Sequence, residues 1–311
     1  MTGEKPKSKT EEKNKNVAME KQPDTWAEAE RKAREEAEKE ERNLAVLDLK
    51  TSNIKELKNF IKAVDLLDEL NLTVDKTGLH LMQMDSSGVS MVIADLPKTL
   101  FSKWNVKPGN ISIFVDKLKD ALKSIKKDDT TLSIKTEKAK HLLNFILPNT
   151  NVEIPYLPVE KIMEKKEPNV EFTAEIVVPG QPLKEFLSQA KKNYEYVFLL
   201  AKNKKLILFC KNDDGRLRKE IPLEKEVKGE TMANFNLDYL NKMVKAADKN
   251  TNIKIDMKTD EPIKLRYSNG FNVTYWLAPY IEEDIEIKNQ IKEAIKGIKQ
   301  EKASVRKRLH S

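Results

Sequence analysis

Leu79-His80-Leu81-Met82-Gln83-Met84-Asp85-Ser86-Ser87-Gly88-Val89-Ser90-Met91-Val92 is the stretch whose reading decides the fold. Leu79 and Leu81, and past a break Val89, Met91 and Ile93, alternate with other residues, the period of a strand with one buried face. Asp85-Ser86-Ser87-Gly88 is a turn cluster, because short polar side chains bond back to the main chain and glycine accepts a positive φ. The stretch reads as a hairpin whose loop stands beside Met84 and Met91, soft side chains suited to an adaptable binding surface.

Working outward, the same logic parses the chain from Leu44 to Glu283. Ala45, Leu47 and Leu49 mark a strand, and Ser52 is placed to cap a helix that buries Ile54, Leu57, Ile61 and Val64. Extended runs follow at Leu70–Val74, Leu79–Met84, Val89–Ala94 and Ile111–Val115, then a helix from Asp116 with Leu118, Ala121, Leu122 and Ile125 inward. Strands Thr131–Thr136 and His141–Leu147 close this half. The order then recurs. Ile176–Val178 leads to a helix from Gln181, and Ala233–Asn236 leads to one carrying Leu240, Met243, Val244 and Ala247, with strands between and after. Ile54-Lys55-Glu56-Leu57 falls under Leu183-Lys184-Glu185-Phe186, and Val115-Asp116-Lys117-Leu118 under Leu237-Asp238-Tyr239-Leu240. This internal duplication predicts an α+β fold of two similar domains, 44–149 and 171–283, each with two helices on one face of antiparallel sheets. A proline-spaced connector, 150–170, joins them.

Outside this body the chain changes character. Residues 1–43 carry little to bury at first and then an Ala-Glu-Arg-Lys run from Trp26, predicting disorder followed by a solvated helix. Residues 284–311 form an extension in which Ile287, Ile291, Ile295 and Ile298 recur at helical spacing before a basic end. Net charge is +7, divided as −1 over 1–43, +4 over 44–283 and +4 over 284–311. Attraction to a polyanion must therefore come from where the lysines of the central body sit. The single cysteine, Cys210, excludes an internal disulfide and lies in an apolar strand. No apolar run approaches the roughly 20 residues of a membrane-spanning helix, and a soluble, intracellular protein with no membrane partner is expected.

No catalytic pattern is present. His80, His141 and His310 have no second ligand at metal spacing, and there is no nucleophile elbow and no glycine-rich phosphate loop. Asp128-Asp129 and Asp213-Asp214-Gly215 read as turns. No catalytic residue, metal or cofactor is assigned. The informative chemistry lies on the four helices. Opposite the apolar stripes stand Lys55, Lys58 and Lys62; Lys117, Lys119, Lys123 and Lys126; Lys184, Lys191 and Lys192; and Lys242, Lys245 and Lys249. Most members of each set share a helical face. If all four helices line one surface, they form a basic wall for phosphates that reads no bases.

The run Met84-Asp85-Ser86-Ser87-Gly88-Val89-Ser90 resembles the Met-Asp-Ser-Ser-His-Val-Ser loop of the proliferating cell nuclear antigen family of DNA sliding clamps, with Gly88 at the family's His. Tyr275-Trp276-Leu277-Ala278-Pro279-Tyr280-Ile281-Glu282-Glu283 resembles that family's closing Tyr-Leu-Ala-Pro-Lys-Ile-Glu. The resemblance covers roughly Leu44 to Glu283. It implies a processivity factor: a head-to-tail ring, a homotrimer, around double-stranded DNA that holds DNA polymerase, a clamp loader and repair enzymes. It further implies a docking patch of Met84, Gly88, Val89, Met91, Ile162, Met163, Trp276, Leu277, Ala278 and Pro279. Edge strands bearing Leu143, Phe145 and Leu147 in one copy and Ile207 and Phe209 in the next are the implied ring contact. A subunit of a heterotrimeric or damage-signalling ring and a monomeric scaffold are the alternatives. The compartment follows the host: nucleus if eukaryotic, cytoplasm if archaeal, host cell if viral.

Overall fold

The structure is a computed structural model and describes residues 26–126, 130–159, 162, 165–281 and 293 of the 311. It comprises two compact units, 1–39 and 40–311. In the first, helix α1 (Trp26–Asn43) begins, and its described side chains, Trp26 included, are exposed; the disorder expected of residues 1–23 lies outside the described residues. Its alanine seam buries too little area to hold a partner face closed.

The second unit holds the duplicated body. Its first half runs β1 (Val46–Thr51), α2 (Ile54–Ala63), β2 (Glu69–Val74), β3 (Gly78–Met84), β4 (Ser90–Pro97), β5 (Lys103–Lys107), β6 (Gly109–Phe114), α3 (Val115–Lys123), β7 (Leu132–Glu137), β8 (Leu142–Leu147) and β9 (Thr150–Pro155). Its second half runs β10 (Ala174–Pro179), α4 (Gly180–Ala190), β11 (Tyr196–Asn212), β12 (Gly215–Asn236), α5 (Leu237–Val244), β13 (Asn252–Met257), β14 (Ile263–Ser268) and β15 (Asn272–Leu277). The α+β class and the two similar domains stand.

Strand formation follows alternation. In β10, Ala174, Ile176 and Val178 are buried while Glu175 and Val177 face solvent. Helix α2 starts one residue later than a Ser52 cap requires: Asn53 is the N-cap, and its backbone N–H is taken by the Thr51 hydroxyl. The strands form a five-stranded sheet, β5-β1-β7-β8-β9, and an eight-stranded sheet, β10-β13-β14-β15-β4-β3-β2-β6. The eight-stranded sheet crosses from one half to the other at the antiparallel pair β15–β4, from Asn272 opposite Asp95 to Leu277 opposite Ser90. The two stretches that decide the sequence reading are thus hydrogen-bonded neighbours.

Strands β11 and β12 pair with each other in two blocks, 196–202 with 230–236 and 205–212 with 215–222. Phe198, Leu200, Ile207, Phe209 and Met232 form one buried cluster. In a straight strand Phe198 and Phe209 would stand about 36 Å apart at roughly 3.3 Å per residue. The chain therefore doubles back at Asn203, whose φ of 52° lies in the left-handed region used by tight hairpins. Cys210 points from this ribbon into the main core, and burial pushes its thiol up to about 12.

Two sequence expectations are corrected. Thr150–Pro155 is not connector: its alternation pairs it with β8 as the edge strand β9, so the extended connector begins after it. Leu143, Phe145 and Leu147 consequently lie on β8, an interior strand, with Leu143 and Phe145 in the core. Ile207 and Phe209 are likewise buried in the ribbon cluster, 9% and 0% exposed, so their side chains present no open contact surface. Strand β9 is one edge of the five-stranded sheet, and the 215–222 segment of β12 pairs with β11 alone.

Helix ends at the junction are closed by side chains of the sheet. The last carbonyls of a helix lack partners within it. The Tyr275 hydroxyl donates to the Ala63 carbonyl of α2 (2.9 Å), the Tyr267 hydroxyl to the Met243 carbonyl of α5 (2.8 Å), and the Asn269 amide to the Ala246 carbonyl (2.9 Å). The first of these bonds joins the two halves. Tyr275→Phe is expected to destabilise the protein by about 1–3 kcal/mol, the cost of a buried carbonyl losing its donor. The check is the urea midpoint, with an unchanged midpoint counting against this role.

Candidate nucleic-acid interface and docking groove

The helices pack in the order α3–α2–α5–α4, a single row across both halves. Between α2, α3 and the end of α5 lies an open groove of about 410 Å³, floored by Ile61, Leu122 and Ile125 and rimmed by Lys58, Lys62, Lys119, Lys123 and Lys245. Five of the thirteen expected lysines thus line one groove, but much of the charge carried by the helices is met by aspartates. Asp65 pairs with both Lys119 and Lys245, Asp238 with both Lys191 and Lys242, Asp248 with Lys55 and Asp120 with Lys123. Burial works against the charge on Asp65, yet the two ammonium groups outweigh it and hold the carboxyl below its usual range. Lys119 is correspondingly raised: burial opposes its charge, and Asp65 and Asp116 overcome that.

Lys58 and Lys184 serve helix ends. Lys58 donates to the Ile125 carbonyl (2.8 Å), and Lys184 to the carbonyls of Lys245 (2.8 Å) and Ala247 (3.1 Å). Burial first, and the neighbouring Lys62 second, push Lys184 down. The helices are shorter than the spacing suggests, so Lys126, Lys192 and Lys249 sit in the turns after α3, α4 and α5. Those three and Lys117 are exposed and have no carboxylate partner among the described residues.

The opposite face of the eight-stranded sheet carries rows of cross-strand neighbours. One row runs Met84, Met91, Trp276, Lys264; the next runs Met82, Ile93, Thr274, Arg266. The hairpin tip is tightly bound. Asp85 accepts from the Ser90 backbone N–H (2.6 Å), the Ser87 hydroxyl and the Tyr239 hydroxyl of α5 (2.7 Å), which together hold it below the usual carboxyl range against the burial that opposes its charge. Gly88 takes a φ of 72°, a conformation costly for other residues, and stands in open space.

The expected docking patch is only partly assembled. Ala278 donates its N–H to the Val89 carbonyl (3.0 Å), which brings Gly88, Val89, Ala278 and Pro279 together at the surface beside half-buried Met84. Met91 and Leu277 are buried. Trp276 is closed off at 3% exposure: Phe172 stacks on it at 5.7 Å, Glu167 takes its indole N–H at 2.9 Å, and Lys264 stands 5.0 Å over its ring and pairs with Glu167. It is a support for the connector, not an open contact, because an indole with its N–H satisfied and both faces covered is a packed side chain. Met163 lies outside the described residues.

Ile162 instead lines a neighbouring groove of about 670 Å³, with Met82 and Ile93 on its floor and His80, Asp75, Asp95 and Lys165 at its rim. The sequence reading does not assign Met82, Ile93 and His80 to a site, because it follows the buried register of β3; the other register, His80-Met82-Met84, is the available signal. His80 Nδ1 lies 2.7 Å from Asp95, and its Nε2 3.2 Å from Asp75 and 2.9 Å from the Thr77 hydroxyl. Among the described residues no group of three His, Cys, Asp or Glu side chains is placed to hold a metal.

A duplicated α+β chain with one continuous sheet and a row of lysine-bearing helices defines the two-domain clamp class. Known proteins agree. Residues 46–163 match the family described as proliferating cell nuclear antigen, N-terminal domain. The DNA polymerase sliding clamp of Pyrococcus furiosus is 29% identical over 242 residues, covering 73% of this chain and 96% of the relative; that of Methanocella arvoryzae is 29% identical over 251 residues, covering 75% and 98%. Among solved structures, A. fulgidus PCNA bound to the C-terminal region of FEN-1 superposes with a TM-score of 0.68 at 25% identity, covering 76% of this chain and all of that one. The PCNA2-PCNA3 complex of Sulfolobus tokodaii gives 0.66 at 20% identity, covering 76% and 100%, a likeness of fold. Over about three quarters of its length the chain is thus similar to DNA polymerase sliding clamps, and its residues 46–163 match the N-terminal domain of the proliferating cell nuclear antigen family.

The groove rim titrates. Burial works against charge on His80, but Asp95 and Asp75 outweigh it and raise the imidazole above its ordinary value of 6.5. A raised histidine stabilises the fold while protonated, so the benefit is whole below about 6.5 and is lost as pH climbs through the folded value. The gap in urea midpoint between the wild-type protein and His80→Gln is expected to be larger at pH 6 than at pH 8. An equal gap at both would remove the carboxylates from the account.

Proposed function

We propose that the protein is a DNA polymerase sliding clamp: copies joined head to tail into a ring that encircles duplex DNA and tethers polymerases and other DNA enzymes to it. The observation that supports this reading is the single row α3–α2–α5–α4, with five lysines from α2, α3 and the end of α5 around one groove. Duplex DNA presents one charge per roughly 1.7 Å of axis, and lysine meets phosphate without reading bases, the contact that sliding requires. Lys117, Lys126, Lys192 and Lys249 are the residues assigned to phosphate, with Lys55, Lys62 and Lys123 beside them. The lysines paired with Asp65 and Asp238 set the wall's shape more than its charge.

Ring closure is assigned to the two edges, β9 of one copy and the 215–222 segment of β12 of the next, whose unpaired backbone groups continue a sheet between chains. Client segments are assigned to the groove of Met82, Ile93 and Ile162 and to the adjoining surface of Met84, Val89, Ala278 and Pro279.

Two measurements test this. Mass in solution is expected near 107 kDa, three times 35.8 kDa. A monomer that assembles only with related chains would favour a heterotrimeric ring, and a monomer throughout would favour a scaffold. Second, Lys117→Ala with Lys192→Ala and Lys249→Ala is expected to flatten the salt dependence of retention on end-blocked duplex, by about 0.9 in the log–log slope for each phosphate no longer neutralised. Affinity for the C-terminal peptide of FEN-1 should stay unchanged. Met82→Asp with Ile93→Asp should do the reverse, and a loss of both properties in either variant would refute the division of labour.

A further inference from the structure

The two halves repeat each other, so each is a control for the other. In the first, the outward residues of β2 and β3 are Asn71, Thr73, His80 and Met82, all partly or fully exposed and lining the open groove. In the second, the matching positions of β11 are Phe198, Leu200, Ile207 and Phe209. Their inward neighbours Val197, Leu199, Leu206 and Leu208 belong to the main core, so these four stand on the outer face. They are nevertheless sealed, with Met232, at 0–9% exposure. A strand apolar on both faces is a strand covered on both faces. Two polar atoms of the same face, Arg218 Nε and Asn234 Oδ1, are also buried and have no hydrogen-bond partner among the described residues.

The chain itself arrives at this face. After β15, the Tyr280 N–H donates to the Asn234 carbonyl (2.8 Å), and its ring packs 4.3 Å from that of Tyr196. Asn234 lies opposite Phe198, so the main chain is at the rim of the apolar cluster when it reaches Ile281. Thirty residues follow, 282–311. Ile287, Ile291, Ile295 and Ile298 share one side of a helix. Glu293, the one described residue of that segment, is helical and exposed. Two positions from both Ile291 and Ile295, it stands about 200° around the helix from them, on the solvent side. A helix over 282–298 would be about 25 Å long, enough to cross four strands about 4.8 Å apart.

We propose that the C-terminal segment 282–311 docks on its own second domain, seating the isoleucine side of an amphipathic helix on Phe198, Leu200, Ile207, Phe209 and Met232. It closes in the second half the face that the first half leaves open, so that each chain keeps one docking groove. This inference stands apart from the DNA reading, since it concerns a face on the other side of the sheet from the helices.

The test compares three forms by hydrogen exchange: the full chain, the full chain with Ile291→Asp and Ile295→Asp, and a chain ending after Ile281. Amides of 196–202 and 205–212 are expected to exchange at least about tenfold faster in both altered forms. Amides of β3 and β4 should be unchanged, which certifies that the body is folded. A peptide of residues 283–300 added to the shortened chain should restore protection, and the same peptide with both aspartates should not. Unaltered exchange in the double-aspartate variant would overturn the proposal, as would protection that rises with protein concentration whether or not the segment is present, which would assign the face to a second copy. Loss of protection at Met82 and Ile93 instead would place the segment in the first-domain groove and overturn it equally.

Discussion

The pairing of β15 with β4 is the constraint on which the rest of the molecule depends. It makes one sheet of eight strands out of two halves and leaves no hinge between them. Because each half keeps its helices on the same side of its sheets, joining the sheets brings α2 and α5 together and extends two helix pairs into one row. The junction is then fixed by buried hydroxyls. Tyr275 and Tyr267 each have one proton to give, and each gives it to a carbonyl at a helix end, so the row is held in register with the sheet. Burial raises both phenols far from ionisation, and these bonds do not vary across ordinary pH.

The electrostatics of the helical face are subtler than a count of lysines. Surface ion pairs contribute little to stability, with a typical value of about 0–1 kcal/mol, so the aspartates of this face are not there chiefly to hold the fold. What they do is take up charge. Asp65 and Asp238 each divide between two lysines from different elements, which fixes those ammonium groups in place and lowers the local field. Of the four lysines without a carboxylate partner among the described residues, Lys117 stands in the first turn of α3 and the other three in the turns after the helices. A smooth, moderate attraction suits the sliding proposed above more than a dense one would.

How much of this is legible in the sequence depends on burial. The helices and the strands with an apolar face can be read because alternation and helical periodicity survive wherever one side is covered. Strand β5, Lys103-Trp104-Asn105-Val106-Lys107, alternates too, but its inward residues are only half-buried and its pattern does not stand out. Strand β9 reads as connector because Pro148 and Pro155 flank it, although prolines are tolerated at a sheet edge and at strand ends. That reading alone shifts the expected subunit contact onto the interior strand β8. Among the docking residues, Trp276 is misplaced for a different reason. Its partners Glu167 and Phe172 come from an irregular segment without period, and no local pattern announces which side chains such a segment will lay across a sheet.

Cys210 carries a last consequence. With its thiol pushed up to about 12, only about one molecule in 10⁵ is in the thiolate form at pH 7, and the thiolate is the reactive species. Enclosed on the core side of a folded ribbon, it is shielded from alkylating reagents and peroxide alike. The native chain is therefore chemically silent toward thiol labels, and a cysteine introduced anywhere on its surface becomes a unique handle for a spectroscopic probe.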